Sequence, residues 1–337
     1  MGRDESLDFV KFVAITLVIM VHVSAPGFVQ FGPQWKAALL YRGLSSICVP
    51  LLFLATGALL LTRDASPASV FRRVKRIAIP AFLWSCVYLA RATFIEHGIV
   101  GNWIVRILTY PAAVHLWFVY TIIGYYACLP LFSGFYRNST DAQKLLVLGV
   151  WFIGTSINPF CYGLFGAAPL GIDFSFLPLY AGYPILGAML YGRFRRVDGS
   201  GLVVSAVVAL IALGVTIFGA RASALSHGVP TMVFFEYSSP TVIVASAASF
   251  IALQGAFDRI EGIVFRRAVS AVAKRTMSIY FVHLLFVQAF FSLSHQMMFS
   301  NQAWSFYLIA CAAALVTSTV IVISMQNMPG VRIMCPD

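Results

Sequence analysis

Ten apolar runs, each 17 to 23 residues long, fill most of this 337-residue chain. They fall at about 7–23, 44–62, 77–95, 114–133, 144–160, 174–192, 201–220, 238–256, 277–294 and 303–325. A hydrocarbon core about 30 Å thick takes roughly 17–25 helical residues to cross. The gaps between runs are shorter than about 25 residues, too short to fold alone. Only 10% of residues are charged and 60% are hydrophobic, where a soluble domain is about a quarter charged. The pattern predicts an all-α, polytopic membrane helix bundle of about ten transmembrane helices, as one integral-membrane domain over 1–337.

The net charge of +11 does not point to nucleic acid, because the cations cluster between apolar runs. With a cytoplasmic N-terminus, 17 Lys and Arg residues fall inside and four outside (Lys36, Arg42, Arg106 and Arg221); Lys11 and Arg91 lie within runs. That asymmetry is the positive-inside signature and predicts both termini in the cytoplasm. "MGRDESLD" carries three acids and one Arg, unlike the basic start of a cleaved signal. The six cysteines show no CxxC and no metal-ligand spacing. Only Cys161 is expected near the outer side, so no disulfide is expected. Loop 96–113, with Trp103 and Pro111, is expected to carry a short interfacial helix.

The first run, "LDFVKFVAITLVIMVH", holds Asp8, Lys11 and His22. A charge at a helix centre in lipid costs roughly 2.5–3.5 kcal/mol on insertion scales. At 100° per residue Lys11 and His22 return to within about 20°, and Asp8 lies about 60° from Lys11. Lys11 and His22 stand about 16 Å apart along the axis. One face therefore carries an acid–base pair near the inner end and an imidazole near the outer end. Such a face lines a bundle interior or a wet cavity; the plainer alternative is a salt bridge plus an interfacial His.

Three further stretches carry polar chemistry. "FRRVKRIAIP" places Arg72, Arg73, Lys75 and Arg76 at the cytoplasmic mouth of the third run. They serve topology, lipid headgroups or the phosphates of a ligand. His115, Trp117 and Tyr120 open the fourth run at the outer side, where an aromatic belt explains the rings but not the imidazole. His283 in the ninth run and Arg91 in the third are either bonded core groups or cavity-lining ones.

Taken in order, these stretches resemble the integral-membrane acyltransferase family 3. The family's first helix typically has a Leu-Asp pair, a basic residue three positions on, then Ala, Val and a closing His; this chain has Leu7, Asp8, Lys11, Ala14, Val18 and His22. "VPLLFLATGALL" (49–60), "RRVKRIAIPAFLWS" (72–85), "HLWFVYTIIGYYACLPLF" (115–132) and "SIYFVHLLF" (278–286) are similar to the family's later marks. The likeness is nearest to stand-alone members that O-acetylate surface glycans, of the enterobacterial common antigen acetyltransferase kind. Lys11 replaces the commoner Arg. Ser46 stands where many members have an Arg, with Arg42 one turn earlier. Thr56 and Ala58 replace the usual Ser and Tyr.

The resemblance implies an O-acyltransferase of the bacterial cytoplasmic (inner) membrane. It moves an acetyl group from acetyl-CoA, a substrate rather than a bound cofactor, to a sugar hydroxyl of a lipid-linked or surface glycan. His22 acts as general base or acyl carrier, and Asp8 and Lys11 orient the helix or the donor. Arg72, Arg73, Lys75 and Arg76 take the donor's phosphates; His115, Trp117 and Tyr120 the acceptor; Arg42, Arg91 and His283 line the passage. No metal is expected, and membrane lipid is the remaining partner. Read without the resemblance, ten spans with intramembrane charge also suit a proton-coupled transporter or a polysaccharide-export component.

Overall fold

The computed structural model describes residues 4–63 and 65–336, and they are helical without a strand. The first group of helices is α1 (Glu5–Phe28), α2 (Trp35–Ser45), α3 (Cys48–Leu60), α4 (Pro67–Phe94) and α5 (Trp103–Thr109). Next come α6 (Trp117–Ala127), α7 (Leu129–Asn138), α8 (Asp141–Phe152), α9 (Asn158–Phe165) and α10 (Gly182–Phe194). The last are α11 (Gly199–His227), α12 (Pro240–Phe257), α13 (Ile263–Ala273), α14 (Thr276–Met298) and α15 (Ala303–Gln326).

Among the described residues, eight helices are long and apolar enough to cross a membrane, with α2 and α3 taken together and α8 running on through α9. A ninth is counted if the pair α5 and α6, bent by 44°, crosses as one. The expected sixth span, 174–192, is where the count differs. Its first part is turn and coil, and the helix there begins only at Gly182 and runs 13 residues. Pro178 explains the late start, since the residue before a proline is driven out of helical geometry. Loop 96–113 does carry a short helix, α5. All six cysteines are free. The expected inner cation Arg3 lies outside the described residues.

Helix α1 is the hub, packing against α2, α3, α12, α13, α14 and α15. Its start is fixed locally: the Asp4 carboxylate caps it, accepting from the Ser6 and Leu7 amides at 3.0 and 3.4 Å. Glu5 and Asp8 in the first turn favour the positive end of the helix dipole. Arg195 pairs with Asp4 at 3.0 Å and Arg266 with Glu5 at 2.9 Å, tying α10 and α13 to this end. The central place of α1 explains how it tolerates charge: Asp8 is 2% exposed and faces protein, not lipid. The apolar surface is carried by outer helices instead. Leu145 and Leu146 on α8, Leu210 and Ile211 on α11, and Ile309 and Val316 on α15 are exposed, as lipid-facing side chains must be.

Helices α3 and α10 approach so closely that only glycine fits. A Cβ on Gly57 would stand 1.9 Å from the Pro184 carbonyl oxygen, and one on Gly187 would stand 2.2 Å from that of Leu54. Small residues that let backbones meet are the usual means of helix association in lipid. Gly57→Val is expected to cost about 3 kcal/mol, the upper part of the usual overpacking range, because backbone cannot rotate away. Thermal unfolding of the purified variant in detergent checks this; an unchanged midpoint refutes the tight crossing.

The C-terminal end of the described chain is pinned to α4 and α14. The Met334 carbonyl accepts from Trp84 Nε1 at 2.9 Å and that of Pro336 from Ser278 Oγ at 3.0 Å. Pro336 and Lys11 line the same cavity.

Candidate functional site

Two cavities lie along α1. The larger, about 600 Å³, is walled by Lys11, Arg73, Arg76, Lys274 and Arg275, together with Tyr126, Thr56 and Gln326. No carboxylate is among its described lining residues. Asp8 stands just behind, bound to Lys11 at 2.9 Å. Arg275 is held in place by Gln326 Oε1 and the Ala271 carbonyl, both at 2.8 Å. Among the described residues this cluster of like charges has one neighbouring acid, a costly arrangement in an empty protein that suits a polyanion.

The smaller cavity, about 370 Å³, contains His22, Arg42 and Glu236 among aromatic walls from Trp117, Tyr180 and Tyr237. Trp117 and Tyr237 stack at 5.8 Å between centroids. Glu236 lies in the connection between α11 and α12, exposed at the rim. Desolvation by its surroundings raises its carboxyl pKa, and Arg42 offsets this only in part.

Behind His22 the chain gathers two more imidazoles. The ring of His22 is 5.2 Å from His283 and 6.1 Å from His115, and those two are 5.1 Å apart. His115 and His283 are fully buried. His283 Nδ1 lies 2.7 Å from the Tyr280 carbonyl, which can only accept, so Nδ1 carries the proton. Its Nε2, and both ring nitrogens of His115, are buried without a partner. An unmatched buried polar group costs about 1–3 kcal/mol, so such a cluster calls for a functional explanation. Among the described residues, no group of three His, Cys, Asp or Glu is placed to hold a metal.

The cavities share no described lining residue. Between them stand aromatic rings: Phe118 and Tyr280 face the larger cavity, 5.4 Å apart, and Trp117 and Tyr237 the smaller. The Tyr280 hydroxyl donates to the His115 carbonyl. A family model described as an acyltransferase domain, that of acyltransferase family 3, matches residues 4–323. The chain belongs to that family. No curated protein and no solved structure matches it.

Set against the sequence expectations, the acyltransferase distributes its polar residues as follows. His22 lines the smaller cavity with Arg42 and Trp117, and Lys11 lines the larger with Arg73 and Arg76. Arg72 and Lys75, on the same helix, are exposed and are not among the lining residues. His115 and His283 sit behind His22 rather than on a cavity wall. Tyr120 directs its hydroxyl to the Ile107 carbonyl at 2.6 Å, joining α6 to α5. Arg91 pairs with Glu96 at 2.9 Å and donates to the Gln288 side chain, away from both cavities. Lys274 and Arg275 had a signal in the sequence: like the third run, the ninth is preceded by a basic pair. Glu236 and Tyr237 of the acyltransferase have none beyond lying in a connection expected at the outer side, and Tyr180 none beyond its place in the sixth apolar run.

Proposed function

We propose that this multi-pass acyltransferase takes an acetyl group from cytoplasmic acetyl-CoA and transfers it to a sugar hydroxyl of a lipid-linked or surface glycan. The larger cavity holds the donor's phosphates, and the smaller admits the acceptor. The observation that carries this reading is the placement of His22 on the smaller cavity, about 16 Å along α1 from Lys11 in a five-cation cavity. The Lys and Arg asymmetry supports the cationic cavity as the cytoplasmic one, in a bacterial inner membrane.

In this reading His22 is the general base. Its imidazole takes the proton of the acceptor hydroxyl as that oxygen bonds to the thioester carbon. The tetrahedral oxyanion then collapses, the carbon–sulfur bond breaks, and the coenzyme A thiolate takes the proton back from His22. With its Nδ1–H committed to the Tyr280 carbonyl, His283 keeps its Nε2 as a lone pair within the imidazole cluster, 5.2 Å from His22 between ring centroids. The Phe118 and Tyr280 rings stand on the path the thioester takes from the larger cavity towards His22.

The test is transfer from radiolabelled acetyl-CoA by the purified protein to extracted surface glycans. Alkali-labile label in the glycan fraction is expected. Label that reaches only lipid or protein refutes the glycan acceptor. Transfer from succinyl-CoA but not acetyl-CoA refutes the acetyl donor.

A further inference from the structure

We propose that the smaller cavity is built for an acceptor sugar bearing a carboxylate, a uronic-acid type of ring, and that Arg42 is the residue that binds it. This rests on the reading that the smaller cavity takes the acceptor. Arg42 lies in the last turn of α2, where the negative end of the helix dipole stabilises a cation. Its guanidinium carbon sits 5.6 Å from the Phe28 ring centroid, which sets the plane of the fork. Its Nε–H is buried with no hydrogen-bond partner.

A guanidinium meets a carboxylate or phosphate side-on through Nε–H and a neighbouring N–H. Arg42 lines the cavity and its enclosed Nε–H has no partner, so one half of such a fork is unused. Glu236 is the one acid among the described lining residues. Desolvation raises its carboxyl pKa and Arg42 opposes the shift. With one guanidinium and one acid among its described lining residues, the cavity suits a singly charged ligand better than a phosphate dianion. Trp117 and Tyr180 supply flat faces for the sugar ring itself. The carboxylate on Arg42 then presents a neighbouring hydroxyl to His22, so one contact sets both affinity and the position acylated.

The experiment measures carbethoxylation of His22 by diethyl pyrocarbonate, read by mass spectrometry, with glucuronate, glucose or glucose 6-phosphate as protecting probe. A charge-assisted contact to Arg predicts that glucuronate protects at concentrations about ten-fold or more below glucose. Arg42→Gln is expected to remove that preference and Arg42→Lys to keep part of it, with acetyl-CoA binding as the check on folding. Equal protection by glucuronate and glucose in the unaltered protein overturns the inference, and needs no variant to fold. So does a preference that survives Arg42→Gln, or a stronger effect of glucose 6-phosphate than of glucuronate. Acetyl transfer to glycan is scored separately: if it occurs while glucuronate shows no preference, the acceptor inference falls and the enzyme reading stands.

Discussion

Replacing His22 by alanine is expected to lower acyl transfer by about 10²- to 10⁴-fold, the usual contribution of a positioned general base. The protein should still fold and insert. His22 is partly exposed on a cavity wall, not part of the close-packed interior of α1 formed by Val10, Ala14, Ile15 and Val18. Its loss enlarges a cavity that already exists and leaves the α1 packing intact. The measurement is labelled acetyl transfer alongside thermal stability and acetyl-CoA binding. Loss of transfer with both controls unchanged fits the base. Near-normal transfer would sink the assignment. The same assay separates base from acyl carrier: incubation with donor alone leaves label on His22 only if the imidazole itself takes the acetyl group.

How far the site could be read in advance depends on what periodicity reports. Helical spacing gives the face of a residue along its own helix, and this sufficed for α1. Lys11 and His22 were placed on one side and about 16 Å apart, and they line two successive cavities. Periodicity says nothing about neighbours on other helices. His22, His115 and His283 are far apart in sequence, and His283 alone reads equally well as a bonded core group. Only the packing of α1, the turn that leads into α6, and α14 brings the rings near one another. Tyr120 shows the same gap from the other side. It follows Trp117 by three residues, yet its hydroxyl is drawn to the Ile107 carbonyl because α5 folds back over that face. The sixth span was misjudged for a different reason. Apolar content between 174 and 181 meets the hydropathy expected of a membrane helix, but a run interrupted by Pro178 spends those residues on turns.

Exchanging Arg73 and Arg76 for glutamate together is expected to raise the KM for acetyl-CoA by about 100-fold or more, with kcat at saturating donor little changed. Each charge-assisted contact to a phosphate contributes about 1.5–3 kcal/mol, and reversal adds repulsion to the loss. The effect falls on KM because coenzyme A phosphates lie far from the reacting carbon and are held alike in the ground and transition states. The alternative, that this basic run only fixes topology or binds lipid headgroups, makes the opposite forecast for a control within the same ten residues. Arg72 and Lys75 share the next face of α4; they are exposed and do not line the cavity, whereas Arg73 and Arg76 do. Arg72→Glu with Lys75→Glu alters the net charge of the loop by the same amount. A pure topology or lipid effect makes the two double variants equivalent. A donor site makes Arg73 and Arg76 costly and leaves Arg72 and Lys75 close to the unaltered enzyme. Titration of acetyl-CoA against both pairs, at two salt concentrations, decides between them, because equal KM values would leave the cationic cavity without a donor to hold.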